Sequence, residues 1–358
     1  MKQILKKIFY RLFPKYQVRK YIKKTNLEAE IWGGGKLKDL INDSLKQFLS
    51  NDDLLNSKYV NSLTEDIVKA YLIHGASPLE YFLYDFKKKN SKQRSTYVTD
   101  QDKDIACMQV MGLEAYKNDL ANKYNFYKLM SPFFMRDICI VSTSKDWDSY
   151  ENFVSKHPKF FKKINKDSSY GHGCTIEEIN DNKELLFKEM INSKTEWLLE
   201  ELIIQDDSMA LWNKSSVNTI RISSFLVGDN FKNIVPFLRT GRAGSVVDNA
   251  GSGGIVAGIK EDGVIFSHGY DEHGNVYIEH PDSKYPYKGK CIPRWNELLA
   301  LCEKAHKSMP STHKYVAWDF ALTPQGWVLI EGNWGQFVCQ QLTSQKGLKK
   351  LFHKYMFT

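Results

Sequence analysis

Three oxygen-bearing side chains interrupt an otherwise apolar stretch near the C-terminus, residues 316–333. They are Asp319, Glu331 and Asn333, and the turn 323–326 between them contains Pro and Gly, which is typical of a β-hairpin. Glu331 and Asn333 are two residues apart, so in an extended strand they project from one face. The hairpin brings Asp319 alongside them.

These three side chains are suited to a hard metal ion. A carboxylate in an apolar strand is costly unless something compensates its charge. Two carboxylates and an amide in one place are ligands of the kind that Mg²⁺ prefers, with phosphate oxygens and water completing the octahedron. The alternative is a hairpin whose polar residues lie at strand ends and meet solvent.

A short basic strand followed by a loop of small residues is the second candidate. The strand, 158–164, carries Lys162 and Lys163, and the loop, 165–173, contains Ser169. A strand lysine beside such a loop can hold a polyphosphate by charge while backbone N–H groups surround it. Basic strands beside glycine turns are also common without a ligand, so both interpretations stay open.

An acidic strand, 197–204, contains Glu200 and Glu201 before Leu202. It could offer backbone amide edges to an adenine and a carboxylate to its amino group or ribose. An edge strand with a polar tip explains the same residues.

Two arginines, Arg221 and Arg239, lie within apolar strands. A buried guanidinium needs an anionic partner, and its planar fork suits phosphate. Internal salt bridges are the alternative. The glycine-rich stretch 248–254, which includes Asn249, is able to approach a ligand closely or simply to form a turn.

The elements that must position these residues divide the chain in two. Before residue 138 the apolar spacing favours helices, at 37–49, 62–74 and 114–130, and Ser77 and Pro78 predict a helix start that continues through Phe86. After it, short β-rich runs alternate with helices. The predicted strands are 138–141, 159–164, 196–204, 219–227, 235–240, 255–260 and the terminal hairpin, and the predicted helices are 146–156, 182–192 and 294–308. The fold class is therefore α+β, with a catalytic body behind a helical N-terminal region.

Size and composition exclude several classes of protein. The chain has 358 residues, 42% of them hydrophobic and 26% charged, which is ordinary for a soluble globular protein of two or three domains. No apolar run approaches a transmembrane span, and no cleavable signal is evident. The six cysteines lack metal-binding spacing, so we expect reduced thiols in a cytoplasmic protein.

The first 24 residues contain nine Lys or Arg and no acid. Apolar residues at 4, 5, 8, 9 and 12 share one helical face, as in segments that lie on anionic membranes at the inner face. A helix packed on the protein with a solvated basic face is the favoured alternative. Nucleic acid is not expected as a partner, because no later segment interleaves basic and aromatic residues as a binding module does.

Taken together, these features resemble the ATP-grasp superfamily, and in particular its sugar-transfer-associated branch, which occurs with bacterial surface-polysaccharide biosynthesis. The resemblance covers about 70–345, and its C-terminal half is the more specific. It rests on S-S-V-N-T-I-R-I at 215–222, R-x-G-R-x-x-x-x-V-D-N-x-x-x-G-G at 239–254, H-P at 280–281 and W-D-F-A-L-T-P-x-G-W-V-L-I-E-G-N at 318–333.

The resemblance implies an ATP-grasp fold, two α+β subdomains that clasp ATP, with domains at 1–25, 26–110 and 111–358 and a lid at about 155–205. It also implies roles for individual residues. The nucleotide lysine is expected at Lys162, with Lys163 the rival, a second lysine at Lys123, a lid-loop contact at Ser169, an adenine hinge at Glu200, Glu201 and Leu202, and a ribose partner at Asp207. The magnesium ligands fall on Asp319, Glu331 and Asn333, and the phosphate and intermediate contacts on Arg221, Arg239 and Asn249. The loop S-S-Y-G-H-G at 168–173 departs from the usual Gly-Gly-rich turn.

The implied reaction is ATP- and Mg²⁺-dependent ligation of a carboxylate to an amine through an acylphosphate, with Mn²⁺ as an alternative metal. The substrates would be small or lipid-linked, such as sugar acids and amino acids. Two alternatives are an ATP-grasp kinase that phosphorylates a hydroxyl and a non-catalytic nucleotide-binding scaffold. Asp319→Asn and Glu331→Gln are each expected to abolish ATP turnover and leave the fold intact.

Overall fold

A computed structural model describes residues 14–31, 34–166, 173–245, 248 and 253–358. Its contacts divide the chain into two compact units. The first comprises the described residues of 1–109 together with 336–358, and the second comprises those of 110–335. The domain bounds inferred from the sequence stay a prediction.

The first unit is helical in its described part. The helix that Ser77 and Pro78 predict begins as expected, because Ser77 Oγ accepts from the Glu80 amide and Glu80 Oε2 accepts from the Ser77 amide. It ends at Leu83 rather than at Phe86, since Asp85 adopts a left-handed φ of 49°. The helices are Pro14–Thr25, Leu37–Phe48, Asn51–Leu55, Ser57–His74, Pro78–Leu83, Ser91–Arg94, Asp100–Val110, Val338–Ser344 and Lys349–Phe357, with a 3₁₀ turn at Phe86–Lys88.

The described part of the basic N-terminal segment is a helix, Pro14–Thr25, that packs against the unit. Val18 is only 3% exposed, and Arg19 forms an ion pair with Glu65 at 2.7 Å. The described helix is therefore packed on this unit, residues 1–13 lie outside the described part, and contact of residues 1–24 with a membrane stays a prediction. In the portion of the chain that the structure describes, no helix is long and apolar enough to cross a membrane.

The second unit begins with short helical elements and then forms a four-stranded antiparallel sheet in the order β1-β4-β2-β3. Two helices cover the sheet, and Tyr150, Phe153, Phe187, Phe160 and Leu199 form a core between them. The strands are β1 Ile138–Val141, β2 Lys159–Ile164, β3 Thr175–Glu178 and β4 Trp197–Glu201; the helical elements are Leu113–Ala115, the π-helix Tyr116–Leu120, Lys123–Phe134, the 3₁₀ turn Ser144–Asp146, Trp147–Lys156 and Lys183–Asn192.

A seven-stranded antiparallel sheet follows, in the order β11-β10-β5-β6-β7-β8-β9. One face is apolar, and Ile220, Ile222, Trp318 and Phe320 on it are fully buried. On this face Ser224 Oγ accepts from Trp318 Nε1 at 2.8 Å. The strands are β5 Thr219–Val227, β6 Asn230–Thr240, β7 Ile255–Gly258, β8 Gly269–Tyr270, β9 Val276–Tyr277, β10 Tyr315–Thr323 and β11 Gly326–Asn333, and the helices of this part are Asp207–Ala210 and Trp295–Ser308.

Candidate functional site

The polar residues of the predicted hairpin lie opposite one another on the second face of this sheet. Asp319 on β10 is the direct cross-strand partner of Glu331 on β11, and Ala317 is the partner of Asn333. The hairpin and the shared face of these three side chains therefore follow the expectation. A β-bulge interrupts β11 here, since Phe320 pairs with Leu329 and leaves Ile330 as the extra residue.

Two further strands add cations next to Asp319, Arg221 from β5 and Arg239 from β6. Arg221 on β5 is the cross-strand partner of Asp319. Asp319 Oδ1 accepts from Arg221 Nε, and its Oδ2 accepts from Arg221 Nη2 at 2.5 Å and from Arg239 Nη1 at 2.9 Å. Burial alone would raise the pKa of Asp319, but the two guanidinium groups outweigh it, so its pKa lies below the usual value.

Both arginines thus meet an internal carboxylate, which was the alternative to a phosphate partner. Arg239 also lies 3.0 Å from Asp248 Oδ1, and Asp248 Oδ2 accepts from the Thr219 hydroxyl. Asp248 was not among the predicted site residues. Its position directly before Asn249 in the V-D-N motif was the signal available.

The carboxylate oxygens of the hairpin still have acceptor positions that could coordinate a cation. A carboxylate has about four acceptor positions, and Asp319 uses three, which leaves one on Oδ1. The side chain of Glu331 is half-buried, and the one hydrogen bond it accepts within the described ranges comes from Asn333 Nδ2 at 3.5 Å. The donor set therefore fits a hard divalent ion at Asp319, Glu331 and Asn333.

A second charged cluster lies on the four-stranded sheet around Glu200. Lys163 Nζ is 2.5 Å from Glu200 Oε1, and Arg136 Nη2 is 2.6 Å from Oε2. Burial would raise the pKa of Glu200, but Lys163 and Arg136 lower it to about 2, so this carboxylate is ionised. Sequence reasoning missed Arg136, which lies before β1 with no motif around it.

Lys123, on the first turn of the helix Lys123–Phe134, connects the two clusters electrostatically. Its pKa is lowered, first by burial and then by Lys163, while Glu331 and Glu200 act in the opposite direction. The half-buried amine of Lys123 is therefore close enough to Lys163, Glu331 and Glu200 to be influenced by their charges, and such a mixture of cations and carboxylates suits a metal-bound polyphosphate.

The geometry favours Lys163 over Lys162 as the nucleotide lysine, which reverses the sequence-based preference. Adjacent strand residues point to opposite faces. Lys162 Nζ lies 2.5 Å from Glu177 and 5.0 Å from the centre of the Trp197 ring, whereas Lys163 faces Glu200. From the amino-acid sequence alone, it was not possible to decide which of the two successive lysines would bind the nucleotide.

The remaining predicted residues are distributed as follows. Glu200 is paired with two cations, and its place in an adenine hinge stays a prediction. Glu201 ends β4, Leu202 begins the connection to the helix Asp207–Ala210, and Asp207 is exposed. Ser169 and Asn249 lie outside the described residues.

One further group of potential ligands is present at the end of β4. Single ligand atoms of Asp137, His157 and Glu201 lie within 4.8 Å of one another. His157 Nε2 is 2.9 Å from Asp137 Oδ2, and the Asp137 amide donates to Glu201 Oε2 at 3.0 Å, so local pairing accounts for these contacts.

Comparison with known families decides the classification. The sugar-transfer associated ATP-grasp family model matches residues 120–355, which is more than half of the chain. The chain belongs to this family. The ATP-grasp fold, with mixed α/β structure and a helical N-terminal region, is therefore established, and the protein is an ATP-dependent enzyme by family.

Solved structures with related folds are distant in sequence. The D-alanyl-alanine synthetase A of Vibrio cholerae is 13% identical over 69% of this chain and 68% of its own, with a TM-score of 0.42. The D-alanine-D-alanine ligase of Coxiella burnetii is 11% identical over 72% and 65%, and the ATP-grasp ligase PsnB is 10% identical over 69% and 62%, each with a TM-score of 0.42. The chain spans only 44% of the N5-carboxyaminoimidazole ribonucleotide synthetase it matches. No curated protein matches the chain.

Proposed function

We propose that this protein is an ATP- and Mg²⁺-dependent carboxylate–amine ligase. The observation that carries the proposal is the cross-strand row of Arg221, Asp319 and Glu331, which shares electrostatic surroundings with Lys123 and Lys163. Enzymes that transfer phosphoryl groups to carboxylates rely on alignment and charge neutralisation, and this row offers both.

Each residue has a definite task in this proposal. Asp319, Glu331 and Asn333 would hold Mg²⁺, which supplies charge neutralisation at the phosphates when it is bound. Lys163 and Lys123 would bind phosphate oxygens. The backbone of Glu201 and Leu202 would contact adenine, and Asp207 the ribose, with Ser169 and Asn249 as further contacts.

The reaction would proceed in two steps. The substrate carboxylate attacks the γ-phosphorus of ATP, which breaks the bond to ADP and forms an acylphosphate. An amine then attacks the acyl carbon, loses a proton and displaces phosphate. Because a carboxylate is already nucleophilic, the first step depends on positioning by Lys163, Lys123 and the two arginines rather than on a base.

The family description supports a carbohydrate setting for the substrates. We expect a sugar acid or related carboxylate and an amine or amino acid, in bacterial surface-polysaccharide biosynthesis. A lipid-linked substrate and contact of residues 1–24 with an anionic membrane at the inner face belong to the same proposal.

The test is a screen of phosphate release from ATP across pairs of carboxylates and amines, followed by mass spectrometry of the product. A ligase product has the mass of both substrates minus water, whereas a kinase product gains a phosphate. Glu331→Gln serves as the inactive control. Phosphate incorporation into a hydroxyl substrate would replace the ligase proposal with the kinase, and ATP binding without turnover in any pair would favour the nucleotide-binding scaffold.

A further inference from the structure

Arg239 bridges two buried carboxylates, and only one of them belongs to the predicted metal site. Its Nη1 donates to Asp319 at 2.9 Å, and its Nη2 lies 3.0 Å from Asp248. The three residues are 8%, 2% and 7% exposed for Arg239, Asp319 and Asp248. A guanidinium held between two carboxylates divides its charge between them, so it neutralises Asp319 less than a guanidinium with one partner would.

Asp248 is itself fixed in place. Its second oxygen accepts from the hydroxyl of Thr219, which is 4% exposed and is the cross-strand partner of Arg239. The carboxylate is therefore positioned by a strand residue. This is the kind of support that orients the ligands of metal sites.

The local charge balance shows what Asp248 contributes. Three carboxylates, those of Asp248, Asp319 and Glu331, accompany the guanidinium groups of Arg221 and Arg239. Asp248 therefore adds one negative charge to this part of the sheet. A divalent cation binds more favourably where one more carboxylate lies nearby, and in a buried region this difference is only weakly screened.

We propose that Asp248 is a positioning residue for the metal site, which holds Arg239 partly away from Asp319 and so keeps Asp319 available to a divalent cation. The inference rests on the proposed metal site at Asp319, Glu331 and Asn333. Asp248 touches neither nucleotide nor metal in this account and acts only through Arg239.

The test measures Mn²⁺ binding to the full chain by electron paramagnetic resonance, with saturating adenylyl imidodiphosphate in place of ATP. Asp248→Asn is expected to weaken Mn²⁺ binding about tenfold, the range found when groups behind metal ligands are changed. The matched control is Asp282→Asn, which removes a carboxylate paired with Arg242 at 2.9 Å outside this network and should bind as the wild type does.

A second variant is needed in case Asp248→Asn fails to fold. Thr219→Val keeps every charge but removes the donor to Asp248, and we expect a smaller loss of about threefold. Wild-type affinity in Asp248→Asn or in Thr219→Val, or an equal loss in Asp282→Asn, would overturn the inference. If the wild type itself does not bind Mn²⁺, the proposed metal site is wrong, so the two failures are distinguishable.

Discussion

Removing the charge of Asp319 should destabilise the fold as well as the metal site. Asp319 is 2% exposed and accepts three hydrogen bonds from Arg221 and Arg239. Asp319→Asn removes a carboxylate that both guanidinium groups share in a buried region, while Asp248 stays paired to Arg239. Breaking a buried ion pair on one side costs about 3–5 kcal/mol. The sequence-based expectation of an intact fold in this variant therefore needs revision.

Glu331→Gln offers a cleaner test of the metal. Glu331 is half-buried, and within the described part of the chain its side chain accepts one weak hydrogen bond, from Asn333 at 3.5 Å. Its replacement by an isosteric amide should change the free energy of unfolding by about 0.5 kcal/mol or less. Binding of the metal–nucleotide complex should nevertheless be lost, because one of two carboxylate ligands is gone.

Urea unfolding followed by far-UV circular dichroism compares the two variants with the wild type. We expect a large fall in the unfolding midpoint for Asp319→Asn and little change for Glu331→Gln. With Mg²⁺ and adenylyl imidodiphosphate at 100 times the dissociation constant, the wild type should gain about 2.7 kcal/mol, and Glu331→Gln should gain none. An unchanged midpoint in Asp319→Asn would refute the arginine pairing, and a full ligand response in Glu331→Gln would refute the metal assignment.

Three other outcomes are expected. Lys163→Met should weaken the binding of adenylyl imidodiphosphate by at least tenfold in calorimetry, because it removes a charge-assisted hydrogen bond. Lys162→Met should change this affinity less than threefold. Equal losses in the two variants would contradict the assignment of Lys163. Burial raises the pKa of Asp100 from 3.8 to about 6, so its stabilising contribution is complete below pH 3.8 and is lost as the pH rises through 6. Asp100→Asn should therefore be more stable than the wild type above pH 6, by on the order of 3 kcal/mol, and equal to it near pH 4, as urea unfolding at several pH values would show. Ser77→Ala removes the cap that accepts from the Glu80 amide and should cost about 1 kcal/mol in thermal unfolding, with no effect on nucleotide binding; a cost near zero would mean that the cap is not formed.

Local pattern predicted most of the second unit. The strands expected at 138–141, 159–164 and 219–227 match β1, β2 and β5 residue for residue, and the three helices expected there begin one residue later than predicted. These segments combine apolar periodicity with clear turn residues. The strands β3, β8 and β9 were not predicted, because they have two to four residues and pair at or near sheet edges, where no apolar pattern is required.

The sequence predicted which polar residues belong to the candidate site, but it did not predict how most of them are paired. The spacing along the sequence predicted that Asp319 lies beside Glu331, because the two strands of a hairpin follow one another in the chain. It could not show that Arg221 lies across from Asp319, since that pairing joins strands almost a hundred residues apart. Nor could it show that Glu200 is enclosed by Lys163 and Arg136, because such an ion pair is created by tertiary packing.

The bulge at Ile330 lies beside a contact between the two sheets of the second unit. Where the strand pairing is interrupted, the carbonyl of Leu329 accepts a hydrogen bond from Arg136 Nη1 at 2.6 Å. Nη2 of the same guanidinium group donates to Glu200 Oε2. A single side chain therefore joins the hairpin of β10 and β11 to β4. Replacement of Arg136 would therefore remove the hydrogen bond to Leu329 and leave Glu200 with Lys163 as its cation among the described residues.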